Sequence, residues 1–393
     1  MSPRFPERCA DFAPFRVGAT ISSSIGLLGG PSIPWWAFTA VSLALVGLLG
    51  YRRLDFSSTV LIVLLAAETL IVIVLGLAVL GRGGAEGVTF AAFGLDTILS
   101  GSPALGLMFA VAGFIGFEST VVYRDEVKDP VRTIRRATYG SAVGVGVFYA
   151  FAAWITVVGF GADDVQGAVG ENPTTVLARL TETYLGPVGS LIVSVLFLGS
   201  MFAAVLSLHN VLARYHHGMA IAGVLPRSLA AVHDRFGSPY RASLTQTLTA
   251  GAVLAVFAVA GIAPELVFAW LAGIGTLAII VLMAVTALGI VVFFVRRGEV
   301  GWSTVIAPAL GGIGLAVAAC LIVANFPLLV GDVDADGAPV FSTLSVSLLA
   351  IIVAAAVAGA VWAVMLRSRR PDRYTRIIAQ LEEVDHRWPA PHP

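Results

Sequence analysis

The sequence predicts an all-α polytopic membrane protein of about ten transmembrane helices, and three observations carry that prediction. Of the 393 residues, 58% are hydrophobic and only 12% charged, with a mean hydropathy of +0.90; soluble domains run at roughly 25% charged and 45–50% apolar. Apolar runs close to the ~20 residues that cross a hydrocarbon core as helix recur along the whole chain. The 42 glycines suit helices that must approach closely where no hydrophobic effect drives them together.

Nine runs are clear: 34–51, 57–81, 104–123, 137–160, 188–212, 242–262, 266–295, 302–329 and 344–365. A tenth, "VGATISSSIGLLGGP" at 17–31, is short and rich in Ser and Gly. The distribution of Lys and Arg orders them, because short cytoplasmic connections carry an excess of both. One set of connections holds Arg52, Arg53, Arg124, Lys128, Arg132, Arg135, Arg136, Arg214, Arg241, Arg296, Arg297 and the arginines of the tail. The alternate set holds only Arg82 and Arg179 among many acids. With the tail on the cytoplasmic side, ten spans also put Arg4, Arg8 and Arg16 there, whereas nine put them outside. The predicted organisation is therefore a cytoplasmic segment at 1–16, a transmembrane domain at 17–366, and a cytoplasmic tail at 367–393. In that tail Tyr374, Ile377, Ile378 and Leu381 share one face of a short amphipathic helix.

Several classes are excluded or left without support. Net charge is zero, so no bulk electrostatic argument favours nucleic acid. Cys9 and Cys320 are the only cysteines and lie outside any His/Cys ligand spacing, which supports neither a disulfide framework nor a metal site. No HExxH or GxSxG occurs, which argues against a membrane hydrolase. No cofactor and no metal is expected.

One run is unlike the others. In "ALGLMFAVAGFIGFESTVVYRDEVKDP", from Ala104, 14 uncharged residues precede Glu118. They make roughly 21 Å of helix, short of a core of about 30 Å. Spanning it requires Glu118, an ionisable group inside the membrane edge and so a functional candidate. Gly113 and Gly116 bracket Phe114 and Ile115, and glycines so placed allow a helix to unwind at mid-depth, freeing backbone groups. The alternative is a continuous helix whose glycines pack and whose Glu118 snorkels.

A second buried acid, Glu68, stands in "LIVLLAAETLIVIVL". A charge there costs roughly 2.5–3.5 kcal/mol, so the side chain is expected to face the bundle, protonated or paired. Ser200, Ser207, Asn210 and Arg214 recur at helical spacing and define one polar face, expected to meet other helices rather than lipid. His209 lies off that stripe and reads as a packed or hydrogen-bonded histidine.

"FIGFESTVVYRDEVKDPVRTIRRATYGS" at 114–141 resembles the sixth helix and following loop of the amino acid–polyamine–organocation permeases, and "HNVLARYHHGMAIAGVLPRSLAAVHDRFGSPYRA" at 209–242 resembles the end of their eighth helix. The resemblance implies a leucine-transporter-type fold of two inverted five-helix repeats followed by two further helices. On that alignment Ala104 begins helix six, and helices one and two are missing. It implies secondary transport of amino acids or related amines by alternating access in the cell membrane, proton-coupled or as an exchanger. A chain without the first two helices is alternatively a non-transporting permease fragment or a membrane interaction subunit. The resemblance assigns Gly113, Phe114, Ile115, Gly116 and Phe117 to substrate binding. It makes Glu118, Glu68, Ser207 and Asn210 candidates for gating or ion coupling. The implied partners are a small amino acid or amine, the lipid bilayer, protons, and a partner supplying the missing helices.

Overall fold

The computed structural model describes residues 35–52, 56–100, 103–171, 176–334, 338–369 and 371. The predicted span at 17–31, the segment 1–16 and the amphipathic tail helix lie outside the described residues. Among those described, the elements run α1 (Trp35–Arg52), α2 (Phe56–Gly81), α3 (Leu95–Ser100), α4 (Pro103–Gly113), α5 (Pro130–Phe160) and α6 (Val165–Glu171). They continue with α7 (Val176–Ile221), α8 (Tyr240–Val259), α9 (Pro264–Arg297), α10 (Ala307–Ala324), α11 (Phe326–Val330) and α12 (Thr343–Arg369). Seven of the described helices are long and apolar enough to cross a membrane, and two shorter apolar ones coincide with the first and third predicted runs. The protein is an all-α polytopic membrane protein.

Local chemistry sets the ends of the elements. Asp129 accepts a hydrogen bond from the Arg132 amide at 3.2 Å and Pro130 opens α5, a capped start that needs no donor from the proline. α9 closes with Arg296 and Arg297 in its last turn, where cations face the negative helix terminus, and with Gly298 in the left-handed region.

Two apolar cores organise the bundle. One joins Leu75 and Val79 of α2, Ile155 and Val158 of α5, and Leu180 and Tyr184 of α7. Close approach there depends on the absence of a side chain, since a methyl on Gly159 would stand 2.5 Å from the Leu180 side chain. The other core joins Leu277 and Ile280 of α9, Ala318 and Ile322 of α10, Phe326 and Val330 of α11, and Leu348 of α12. The third run lies between them as two pieces. Val111 of α4 packs on the second core, while the 3₁₀ segment Phe117–Glu126 packs against α5 and α7.

A further interruption lies inside α7, which at 46 residues is far longer than one crossing. Gly186 adopts φ 79°, ψ −178° and is followed by Pro187. Proline has no N–H, so the Thr183 carbonyl one turn earlier loses its helical donor. The Arg82 guanidinium replaces it, donating at 3.1 Å, and lies 5.9 Å from the centre of the Tyr184 ring.

Candidate functional site

The expected unwinding after Gly113 is present. α4 stops at Gly113, Phe114–Gly116 form a turn, and the chain resumes as the 3₁₀ segment Phe117–Glu126. Gly116 turns the chain at φ 119°, a region L side chains rarely adopt. Opening a helix here orphans backbone groups that lipid cannot satisfy. The protein resolves most of them within a few residues. The Phe114, Ile115 and Phe117 amides donate three residues back, to Val111, Ala112 and Phe114 at 3.1, 3.2 and 3.4 Å.

Side chains complete the arrangement. The Glu118 carboxylate reaches back to accept from the Gly116 amide at 2.8 Å. The Ser119 hydroxyl donates to the Gly116 carbonyl at 2.5 Å, and Thr120 donates to Phe117 at 3.1 Å while its oxygen lies 2.7 Å from the Thr138 hydroxyl of α5. The Gly113 carbonyl, whose helical donor would be the Phe117 amide, instead accepts from the Tyr149 hydroxyl of α5 at 3.2 Å. The N–H groups of 114–117 are thus taken up by tight turns and by one carboxylate. The Ile115 carbonyl has no hydrogen-bond partner among the described residues.

The broken segment is keyed into α5 by two reciprocal glycine–aromatic contacts. A methyl on Gly113 would lie 3.0 Å from the Tyr149 ring, and one on Gly146 would lie 3.3 Å from the Phe114 ring. The two rings meet edge to face with centroids 6.2 Å apart, a favourable arrangement of their quadrupoles. Beside the turn is a cavity of about 210 Å³ with an almost wholly apolar wall. The broken segment contributes Phe114, Phe117 and Glu118, and Ala142 of α5, Ile280 of α9 and Leu315 of α10 line the rest of this half-open space.

The other sequence candidates fall elsewhere. Glu68 of α2 accepts from the Ser200 hydroxyl of α7 at 2.9 Å, and its second oxygen is buried without a hydrogen-bond partner among the described residues. Two residues singled out on different grounds therefore meet across one helix pair. Asn210 offers its carbonyl to the Arg214 guanidinium one turn on, at 3.5 Å. Ser207 is half-buried on α7, and neither it nor Asn210 lines the cavity. His209 is buried and bonded to Ser243 of α8 at 3.0 Å, with Gly50 of α1 pressed against both.

Sequence reasoning missed Tyr149 and Arg82. Tyr149 sits in the apolar run "GVFYAFAAW" and carries no polarity signal there; the only available hint was its helical spacing from Gly146. Arg82 is one of the two lone cations on its side of the chain, and Gly186–Pro187 supplied the reason for one.

Among the described residues the chain is a multi-pass helical bundle with one span interrupted after α4. The chain belongs to the amino acid permease family, whose sequence profile matches residues 41–357, and hence to the amino acid–polyamine–organocation superfamily. It is 32% identical over 225 residues to uncharacterized transporters of Mycobacterium bovis and Mycobacterium tuberculosis, a match covering 56% of this chain and 46% of each relative. An uncharacterized transporter of Rhizobium meliloti is 26% identical over 233 residues, 58% of this chain and 48% of that protein. The chain thus matches about half the length of these relatives.

Proposed function

We propose that the protein takes part in secondary transport of an amino acid or related amine, with the substrate held at the turn Phe114–Phe117 and alternating access around it. The observation that carries this reading is the break itself, a turn beside a cavity whose Ile115 carbonyl has no hydrogen-bond partner among the described residues. An ammonium group supplies the missing donor. Glu118 completes the site by placing a carboxyl three residues on and by holding the Gly116 amide.

Glu118 and Glu68 are the proposed proton-coupling groups. Both are carboxyls in or beside the membrane, where an ionisable group marks a functional site by default. The buried unpartnered oxygen of Glu68 supports this assignment, because a protonated acid there loses little by lacking a second partner. Ser207 and Asn210 are proposed as gating groups on the polar face of α7. The arginine-rich ends of the helices face the cytoplasm of the cell membrane in this reading, and a partner segment supplies the helices the family places first and second.

Uptake into proteoliposomes across a panel of amino acids and amines tests the proposal. Accumulation of at least one member supports it and retires the alternative of a non-transporting subunit; no accumulation of any member defeats it for this chain. Glu68→Gln separates the coupling assignment from the rest, since proton-driven uptake that it leaves unchanged removes Glu68 from the coupling path.

A further inference from the structure

Where α1 stops and α8 starts, four rings meet at one end of the bundle. Tyr51, in the last turn of α1, has the rings of His233, Phe236 and Tyr240 around it, each edge to face, with centroids 5.4, 6.4 and 5.9 Å away. The connection that carries two of them, 222–239, is tied down on both sides. The Ser238 hydroxyl donates to the Tyr51 carbonyl at 2.6 Å, and the His233 amide donates to the Ser238 carbonyl at 2.8 Å. Glycines bring α1 hard against α8, since a methyl on Gly47 would stand 2.8 Å from Thr247 and one on Gly50 2.9 Å from Ser243. The rings therefore sit on a braced platform.

Three of the four rings have an arginine as chain neighbour: Arg52 follows Tyr51, Arg235 precedes Phe236 and Arg241 follows Tyr240. All three arginines are exposed. The Arg235 guanidinium lies 5.5 Å from the centre of the Phe236 ring, and that of Arg241 5.6 Å from the Tyr240 ring, whose hydroxyl accepts from Arg241 Nε at 2.9 Å. Stacking uses the face of a guanidinium and leaves its edge, the planar fork of donors that matches a phosphate, for a ligand. Asp234 is the only acid in the connection 222–239, so positive charge prevails.

The surface below the arginines selects among anions. On α1, Arg52, Leu48, Leu45 and Val41 recur at helical spacing on one face, and on α8 Arg241, Leu244 and Leu248 do the same. The five apolar side chains are all exposed. Each helix thus presents a cation at the end of its span and an uncovered apolar stripe running inward from it. A soluble anion uses the cation alone, whereas a phospholipid uses both.

We infer that the junction of α1 and α8 is a binding site for an anionic phospholipid, its phosphate held by Arg52, Arg235 and Arg241 and its acyl chains laid along the two apolar stripes. The site is separate from the broken segment after α4 and does not depend on the transport reading. Because its arginines come from α1, from the 222–239 connection and from α8, the lipid clamps the three together, and the folded chain gains stability from it by mass action.

The test is native mass spectrometry of the full chain in detergent, titrated with phosphatidylglycerol or phosphatidylcholine, with amide hydrogen exchange on the same samples. Phosphatidylglycerol is expected to bind more tightly and to slow exchange across 233–242. Arg235→Gln combined with Arg241→Gln is expected to weaken phosphatidylglycerol by about tenfold or more, several-fold for each cation removed, and to leave phosphatidylcholine unchanged. Unchanged phosphatidylcholine binding, with a thermal melt in lipid-free detergent, shows that the variant is folded. Arg296→Gln combined with Arg297→Gln is the control, removing equal charge from the end of α9, where the Arg297 guanidinium also lies over a ring, 4.4 Å from the centre of Phe293. This pair is expected to change little. Equal weakening by both pairs overturns the site in favour of a general charge effect, and so does equal affinity for the two lipids. Inorganic phosphate that displaces phosphatidylglycerol and protects the same amides overturns the lipid assignment in favour of a soluble anion.

Discussion

The protein interrupts its helices at Gly186 in α7 and between Gly113 and Phe117 after α4, and the two breaks solve the same problem with different chemistry. Each leaves a carbonyl without its helical donor, and each borrows a donor from another element. At Thr183 the donor is the Arg82 guanidinium; at Gly113 it is the Tyr149 hydroxyl. Arg82 is charged at every accessible pH and its break lies beside a tightly packed core. Tyr149 is neutral, is 46% exposed, and its break lies beside a cavity and a carboxylate. The first break shapes a helix. The second leaves the Ile115 carbonyl without a partner among the described residues.

Substitutions that act on one break and spare the other test that distinction. The largest effect is expected from Gly186→Ala. Its φ/ψ is open essentially to glycine alone, and a methyl there meets nothing within 4 Å, so the cost is backbone strain of about 1–3 kcal/mol. It is expected to appear as a lower melting temperature with little change in ligand selectivity. Gly116→Ala also meets open space, at φ 119°, and is expected to cost about 1–2 kcal/mol. Its signature is weakened binding as well as stability; equal damage to binding by both alanines would dissolve the contrast between the breaks.

Tyr149→Phe comes next, removing one neutral hydrogen bond worth about 1 kcal/mol. Deuterium exchange at the amides of 114–119 is expected to rise while that of 180–190 stays as it was. Arg82→Gln is expected to produce the reverse pattern.

The smallest effect concerns a carboxylate outside the spans, which calibrates the Glu118 contact. Asp332 caps α12, accepting from the hydroxyls of Ser345 and Ser342 at 2.5 and 2.7 Å and from both their amides. Burial raises its pKa, but these four hydrogen bonds outweigh that and hold it below the usual carboxylate value. A depressed folded pKa stabilises fully above the unfolded value of about 3.9 and loses that contribution as pH falls through the folded one. Acid melts of Asp332→Asn are expected to lose this part of the pH dependence below about pH 4. The amount is under about 1 kcal/mol, because solvent screens the site. A larger loss than that from Glu118→Gln at neutral pH would rank the cap above the break.

Much of the fold was legible because membrane spans are written in composition and length, and because the short uncharged run before Glu118 cannot cross as one helix. The break after Gly113 was legible from its glycines. The break at Gly186 was not, since a Gly-Pro pair at the start of the run 188–212 reads as a loop end, whereas the chain is already helical from Val176. The stripe on α7 was readable as a face but not as separate jobs, with Ser200 bonding Glu68 and Arg214 bonding the Asn210 carbonyl. Tyr149 stayed hidden because a hydroxyl aimed at a backbone carbonyl 36 residues away leaves no trace in hydropathy.

The place of the turn between the two cores has a mechanical corollary. Val111 on one side is packed into the α9–α12 core, and Thr120 on the other is bonded to α5. Between these two attachments, Phe114–Gly116 are the residues out of helix. Three residues at full stretch reach only about 10 Å. The turn is thus a short tether, and it limits how far the end of α4 and the start of the 3₁₀ segment separate before α4 begins to unwind.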